Sequence, residues 1–268
     1  MIKDLLMGRY LPGNSMLHRS DPRTKILLTT VFMVLVFLAE GYLSFLLLLS
    51  FVLIISSRVG KPLKHALRGV KPILFIALFM IVVNTIAVKG TPLLDYGIFR
   101  HLSREGVTLS VLMVLRLFLL LTGASLLTST TTPISLTDGL EALLKPLKSF
   151  KIPVHEAAMM MSIALRFIPV LLDEAERIFK SQASRCADFA FGNPLQRARN
   201  YLSVLVPLFV GAFRRADELA TAMEARCYRG NAGRTRMKRL ELSCADFTCT
   251  AVMLVFSSAL ICIEYVRS

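Results

Sequence analysis

Apolar residues concentrate in five stretches, at 26–39, 42–57, 73–88, 107–127 and 247–266, and these constrain the chain more than any other feature. A hydrocarbon core of about 30 Å takes about 20 helical residues at 1.5 Å each, so each stretch is a candidate membrane-spanning helix. The first two are short for that thickness. Their ends draw on flanking Thr, Ser and Tyr or sit in a thinned bilayer. Only Glu40 and Gly41 separate them, which makes a tight helical hairpin. With 54% hydrophobic residues and a mean hydropathy of +0.61, the 268-residue chain is too apolar for an ordinary soluble domain. The expected fold class is an all-α polytopic membrane protein with about five transmembrane helices.

The net charge of +14 would point to nucleic acid in a soluble chain, but the basic residues are distributed by loop. Lys3, Arg9, Arg19, Arg23 and Lys25 precede the first span, and the Glu40–Gly41 turn has none. Arg58, Lys61, Lys64, Arg68 and Lys71 follow the second span, while Lys89, Arg100 and Arg104 are diluted by Asp95 and Glu105. The segment 130–245 holds 17. Rich loops alternate with poor ones, which predicts a cytoplasmic N-terminus and cytoplasmic 128–245 segment, with the C-terminus outside. The lipid bilayer is thus the partner that explains the charge, and nucleic acid is not needed. No cleavable signal pattern opens the chain, so residues 1–25 form a retained lead-in, with Asp21 and Pro22 placed to cap and start the first helix.

Catalytic chemistry finds no foothold. The five cysteines form no C-x-x-C pair, and His18, His65, His101 and His155 fall in four different segments, so no metal site is expected. Nucleotide-binding, zinc-protease and nucleophile-elbow motifs are all missing, so neither an enzyme nor a cofactor is expected. An integral membrane enzyme would need a cluster of His, Asp and Glu at one face, and only at His155–Glu156 does a histidine adjoin an acid. A self-contained secondary transporter or channel would need inverted repeats and several deep ionisable residues, whereas Arg116 is alone in depth.

The 128–245 segment is too long for a connector. Turn residues divide it into a short helix at about 138–150, capped by Thr137 and Asp138, and two long helices at about 153–186 and 194–227. Each long helix is apolar in its first half, amphipathic in its second, and interrupted by one proline, Pro169 or Pro207. Each ends in a lone arginine between small residues: Ser184, Arg185, Cys186 and, 41 positions later, Ala225, Arg226, Cys227. Aligned on these arginines the helices also share Ala175 with Ala216 and an acid beside each, Glu176 and Asp217. A single terminal arginine reads as a cap that satisfies carbonyls and complements the helix dipole, worth about 0.3–1 kcal/mol. Two matched ends instead favour docking, for which the planar guanidinium fork is suited.

Four stretches, "GRYLPGNSMLHRSDPRTK" at 8–25, "SLLTSTTTPISLTDGLEALLKPLK" at 125–148, "SRCADF" at 184–189 and "FRRADELATAMEARCYRG" at 213–230, resemble the transmembrane T component of energy-coupling factor transporters. These are ABC-type importers of vitamins and other micronutrients in bacterial or archaeal cell membranes. The lead-in resembles T components that serve many interchangeable S components more than the dedicated cobalt and nickel versions. The resemblance implies a non-catalytic scaffold that links two ABC ATPase subunits, as a hetero- or homodimer, to a separate membrane-embedded S component that captures substrate. It also implies that Arg185 and Arg226 each enter a groove on one ATPase. The family's triplet is often Ala-Arg-Gly; here it reads Ser-Arg-Cys and Ala-Arg-Cys, with small flanks retained.

Within the spans, Arg116 is expected either to contact a partner or to fix the bundle through a carbonyl or an acid, because a lone charge at such depth costs at least about 2.5–3.5 kcal/mol. Asn84 is expected to hydrogen-bond between helices.

Overall fold

The computed structural model describes residues 13, 15–58, 70–87, 104–150, 153–185, 187, 189, 193–230 and 241–267. Among these residues there is no strand, and nine helices account for most of them. The helices are α1 Met16–Arg19, α2 Pro22–Leu38, α3 Tyr42–Arg58, α4 Val70–Ala87, α5 Arg104–Thr130, α6 Pro133–Leu144, α7 Val154–Ser184, α8 Pro194–Ala225 and α9 Cys244–Arg267. A 3₁₀ turn, Lys145–Phe150, continues from α6. The chain divides into two compact units, one from Gly8 to Ala142 joined by Leu240–Ser268, the other comprising Leu143–Arg239 with Met1–Met7.

In the first unit α2, α3 and α4 pack against α5, and α9 packs on α2 and α3. Phe32, Leu35 and Val36 of α2, Phe45, Leu48 and Val52 of α3, Leu119 of α5, and Met253 and Leu260 of α9 form its core. Small residues set the spacing. A Cβ on Gly123 of α5 would stand 2.8 Å from the Phe32 ring, so only glycine lets α5 approach α2 this closely. Phe51 stacks on Phe256 with centroids 4.1 Å apart, tying α3 to α9. Phe37 of α2, Leu46 of α3, and Phe75 and Phe79 of α4 are exposed, as expected of surfaces that face lipid. The all-α polytopic membrane architecture expected from the sequence is what the structure has.

Two polar ties close this unit. The Glu40–Gly41 turn between α2 and α3 leaves one carbonyl and two amides without helical partners. Arg116 Nη2 donates to Ala39 O at 2.6 Å, and the Glu264 carboxylate accepts from the amides of Glu40 (2.6 Å) and Gly41 (3.1 Å). At the opposite end of α2, Asp21 caps the helix by accepting from Arg23 N, with Pro22 in the first turn as the sequence indicates. Asp246, only 2% exposed, accepts from Asp21 N at 2.8 Å and from Ser243 N at 2.7 Å. The second bond returns the carboxylate to the residue before α9, as in a capping box. Lys25 Nζ donates to Thr130 O (3.1 Å) and His18 O (3.3 Å), so the start of α2, the end of α5 and the start of α9 meet in one knot.

In the second unit α7 and α8 pack against each other. They span 31 and 32 residues, and each carries its internal proline, Pro169 or Pro207. The short helix before them differs from expectation: it starts at Pro133 rather than 138, and its α-helical part ends at Leu144. Thr132, not Thr137 or Asp138, caps it, its hydroxyl accepting from Ser135 N at 3.2 Å with proline at the first helical position. Among the described residues three helical segments are long and apolar enough to cross a membrane, Glu105–Thr130, Cys244–Val266 and Val154–Ser184. The third is α7, which the loop charges place in the expected cytoplasmic segment. The 17-residue helices α2 and α3 are short, about 25 Å each.

Candidate functional site

α7 and α8 end in the same way. Arg185 terminates α7 with φ −92° and ψ 21°, and Arg226 terminates α8 with φ −92° and ψ 16°. Two residues beyond each arginine an amide turns back to the carbonyl three residues before it. Ala187 N donates to Gln182 O and Tyr228 N to Met223 O, both at 3.1 Å. In α8 the turn is completed by Cys227 N donating to Glu224 O at 2.8 Å, with Cys227 in the left-handed region at φ 54°. This is a Schellman closure, in which backbone amides satisfy the last carbonyls of the helix. The arginine side chains are therefore not required as caps. Both are exposed, and neither guanidinium has a hydrogen bond or ion pair to another described residue.

The flanking residues keep the ends narrow. Ser184, Ala225 and Cys227 are exposed, and Ser184 Oγ donates back into its own helix to Lys180 O at 3.0 Å. Cys186 lies outside the described residues, as do Lys61, Lys64, Arg68, Lys89, Arg100, His65 and His101. Beyond Arg185, Phe189 stacks on Phe179 of α7 at 4.2 Å between centroids and tilts against Tyr201 of α8 at 5.5 Å.

Sequence reasoning missed the contact between the two helices. Arg215 Nη2 of α8 lies 2.6 Å from Glu174 Oε2 of α7. A signal was present, since these residues directly precede Ala216 and Ala175, the aligned pair. Arg116 and Asn84 belong to the membrane unit and make separate contacts. Arg116 meets Ala39 O, and its guanidinium carbon sits 5.6 Å from the centre of the Phe45 ring. Asn84 Nδ2 of α4 reaches Met113 Sδ of α5 at 3.7 Å. Glu264 had no distinguishing pattern around it, because its partners are backbone amides more than 220 residues away in sequence; Asp246 has a local capping partner in Ser243, but nothing local marked its bond to Asp21 N. Among the described residues no group of three or more His, Cys, Asp or Glu could hold a metal ion.

Comparison with known proteins matches this architecture. A family model described as "Cobalt transport protein" matches residues 13–237. The chain is 54% identical over 266 residues to the energy-coupling factor transporter transmembrane protein EcfT of Ruminiclostridium cellulolyticum, covering 99% of both. It is 51% identical over 254 residues to EcfT of Acidaminococcus fermentans, covering 95% of this chain and 94% of that one. Against EcfT of Thermosediminibacter oceani the identity is 48% over 259 residues, 96% and 97% of the two chains. With a helical unit in which Gly123 lets α5 close on α2, and two helices bearing matched arginine ends in the other unit, the chain belongs to the EcfT family and is a transmembrane, non-catalytic energy-coupling component of an energy-coupling factor transporter.

Proposed function

We propose that the α7 and α8 ends dock two ABC ATPase subunits, one on Arg185 and one on Arg226, and that the chain passes their motion to a membrane-embedded S component that captures a vitamin or other micronutrient. The observation that carries this reading is the pair of matched ends, whose carbonyls are closed by backbone amides while both guanidiniums remain exposed. A planar five-donor fork on a narrow protrusion suits a groove lined with carboxylates or carbonyls. Residues 128–245 then form a cytoplasmic coupling domain, the N-terminus is inside and the C-terminus outside, in keeping with the loop charges. The length and apolarity of α7 would admit a sixth span, which would carry both Arg185 and Arg226 to the outer side, away from any cytoplasmic ATPase. Asp173, Glu174, Glu176, Arg177 and Lys180 in its second half favour the aqueous phase. The lead-in favours a T component shared among interchangeable S components rather than one dedicated to cobalt.

The test is co-purification of the ATPases in mild detergent with Arg185→Ala, Arg226→Ala and the double variant. Removing one side of a desolvated charge-assisted contact costs about 2–5 kcal/mol, so each single variant weakens assembly at least tenfold. Arg226→Lys recovers little, because a point ammonium does not reproduce the fork. Normal assembly and uptake by the double alanine variant would exclude docking through these residues.

A further inference from the structure

The 41-residue offset relates more than the two ends. It pairs Pro153 with Pro194, Ser184 with Ala225, and Glu174 with Arg215. The last two are also the residues that meet, Arg215 Nη2 lying 2.6 Å from Glu174 Oε2. A contact between equivalent positions of the two helices fixes their mutual register at that point. Room for it is made by Gly211, one turn earlier on α8, where a Cβ would stand 2.8 Å from Glu174 Oε1. Glu174 and Arg215 each precede their terminal arginine by eleven residues, so both arms extend about 16 Å from the contact at 1.5 Å per residue.

We propose that Glu174 and Arg215 form the pivot of the coupling helices, positioning residues that hold the two arms equal so that displacements at the two ends combine symmetrically. Apolar helix faces can slip past each other by one turn, about 5.4 Å, which would lengthen one arm and shorten the other. A directed ion pair specifies one register, the role for which such pairs are best attested. With side chains 36% and 25% exposed, the pair adds little to the stability of the fold. Its value is geometric, and its loss leaves a folded protein that transmits motion poorly. This inference rests on the docking of ATPases at Arg185 and Arg226.

The experiment uses the assembled transporter in lipid vesicles and reads two quantities, the yield of co-purified ATPase and the substrate taken up per ATP hydrolysed. Glu174→Gln and Arg215→Gln are expected to keep complex yield within twofold while uptake per ATP falls at least tenfold. Gly211→Ala, which crowds the carboxylate without deleting a charge, lowers the ratio in the same direction. The exchanged pair, Glu174→Arg with Arg215→Glu, restores it to within about threefold. Unchanged uptake per ATP in Glu174→Gln overturns the proposal. So does loss of assembly in both single variants without recovery in the exchanged pair, which marks a merely structural contact. The docking reading fails on a different result, normal ATPase yield from the Arg185→Ala, Arg226→Ala double variant.

Discussion

Cys227 holds a left-handed turn with a side chain that disfavours it, at φ 54° directly after Arg226. A non-glycine residue there strains against its own carbonyl by about 1–2 kcal/mol. Cys227→Gly relieves that strain and gives back part of it in unfolded-chain entropy, so a net gain of about 1 kcal/mol is expected, read as a raised thermal midpoint of the purified protein. A lowered midpoint would mean that the thiol packs usefully. Asp246 is the opposite case, a buried carboxylate with two backbone donors and Lys25 in the same knot. Asp246→Asn keeps the shape but loses the charge and one acceptor, and should destabilise by about 2 kcal/mol. The cap at Asp21 was legible from sequence because its donor is two residues away; the bond from Asp21 N to Asp246 was not, because only the fold brings them together.

Among the elements, the α2–α3 hairpin was readable as two apolar runs with two residues between them. How its turn is satisfied was not readable. Arg116 stood out as a charge in an apolar run, and a bond to a carbonyl was among its expected partners; that the carbonyl is Ala39's follows from α5 running antiparallel to α2, with Thr130 beside Lys25 at the other end. Arg116→Leu leaves Ala39 O without its donor and should cost about 1–3 kcal/mol, measured by unfolding in detergent; a neutral effect would mean that water replaces the guanidinium. Gly123→Val places a branched side chain where even a Cβ is 2.8 Å from Phe32, and should cost about 1–3 kcal/mol through separation of α2 and α5. The misplaced start of α6 has a plain cause. Thr132–Pro133 and Thr137–Asp138 are both good helix openings, and the earlier pair prevailed with its hydroxyl cap intact.

For the whole molecule, membrane class and membership of a coupling family were legible because hydropathy and the arginine ends are local in sequence. The register between α7 and α8 was not, because one ion pair among many exposed charges has no local mark. The proposed orientation predicts that single cysteines introduced at Asp95, in a cysteine-free background, react with an impermeant maleimide from outside. Those at Ser184, Arg197 and Glu224 should react only after the inner face is opened. Reaction of Ser184→Cys from outside would make α7 a span and place both arginine ends on the outer side, out of reach of cytoplasmic ATPases. The caps of the α2–α3 turn have a further consequence, for biogenesis. Residues 40 and 41 leave the ribosome long before their partner, since the carboxylate that accepts from their amides is made more than 220 residues later. Until Glu264 is made the hairpin tip must therefore stay at the wet interface or in a protected insertion pathway, since unpaired amides are expensive in hydrocarbon. Glu264 of α9 completes the α2–α3 hairpin, so a nascent chain that stalls shortly before residue 264 carries an unfinished tip that membrane quality control can recognise.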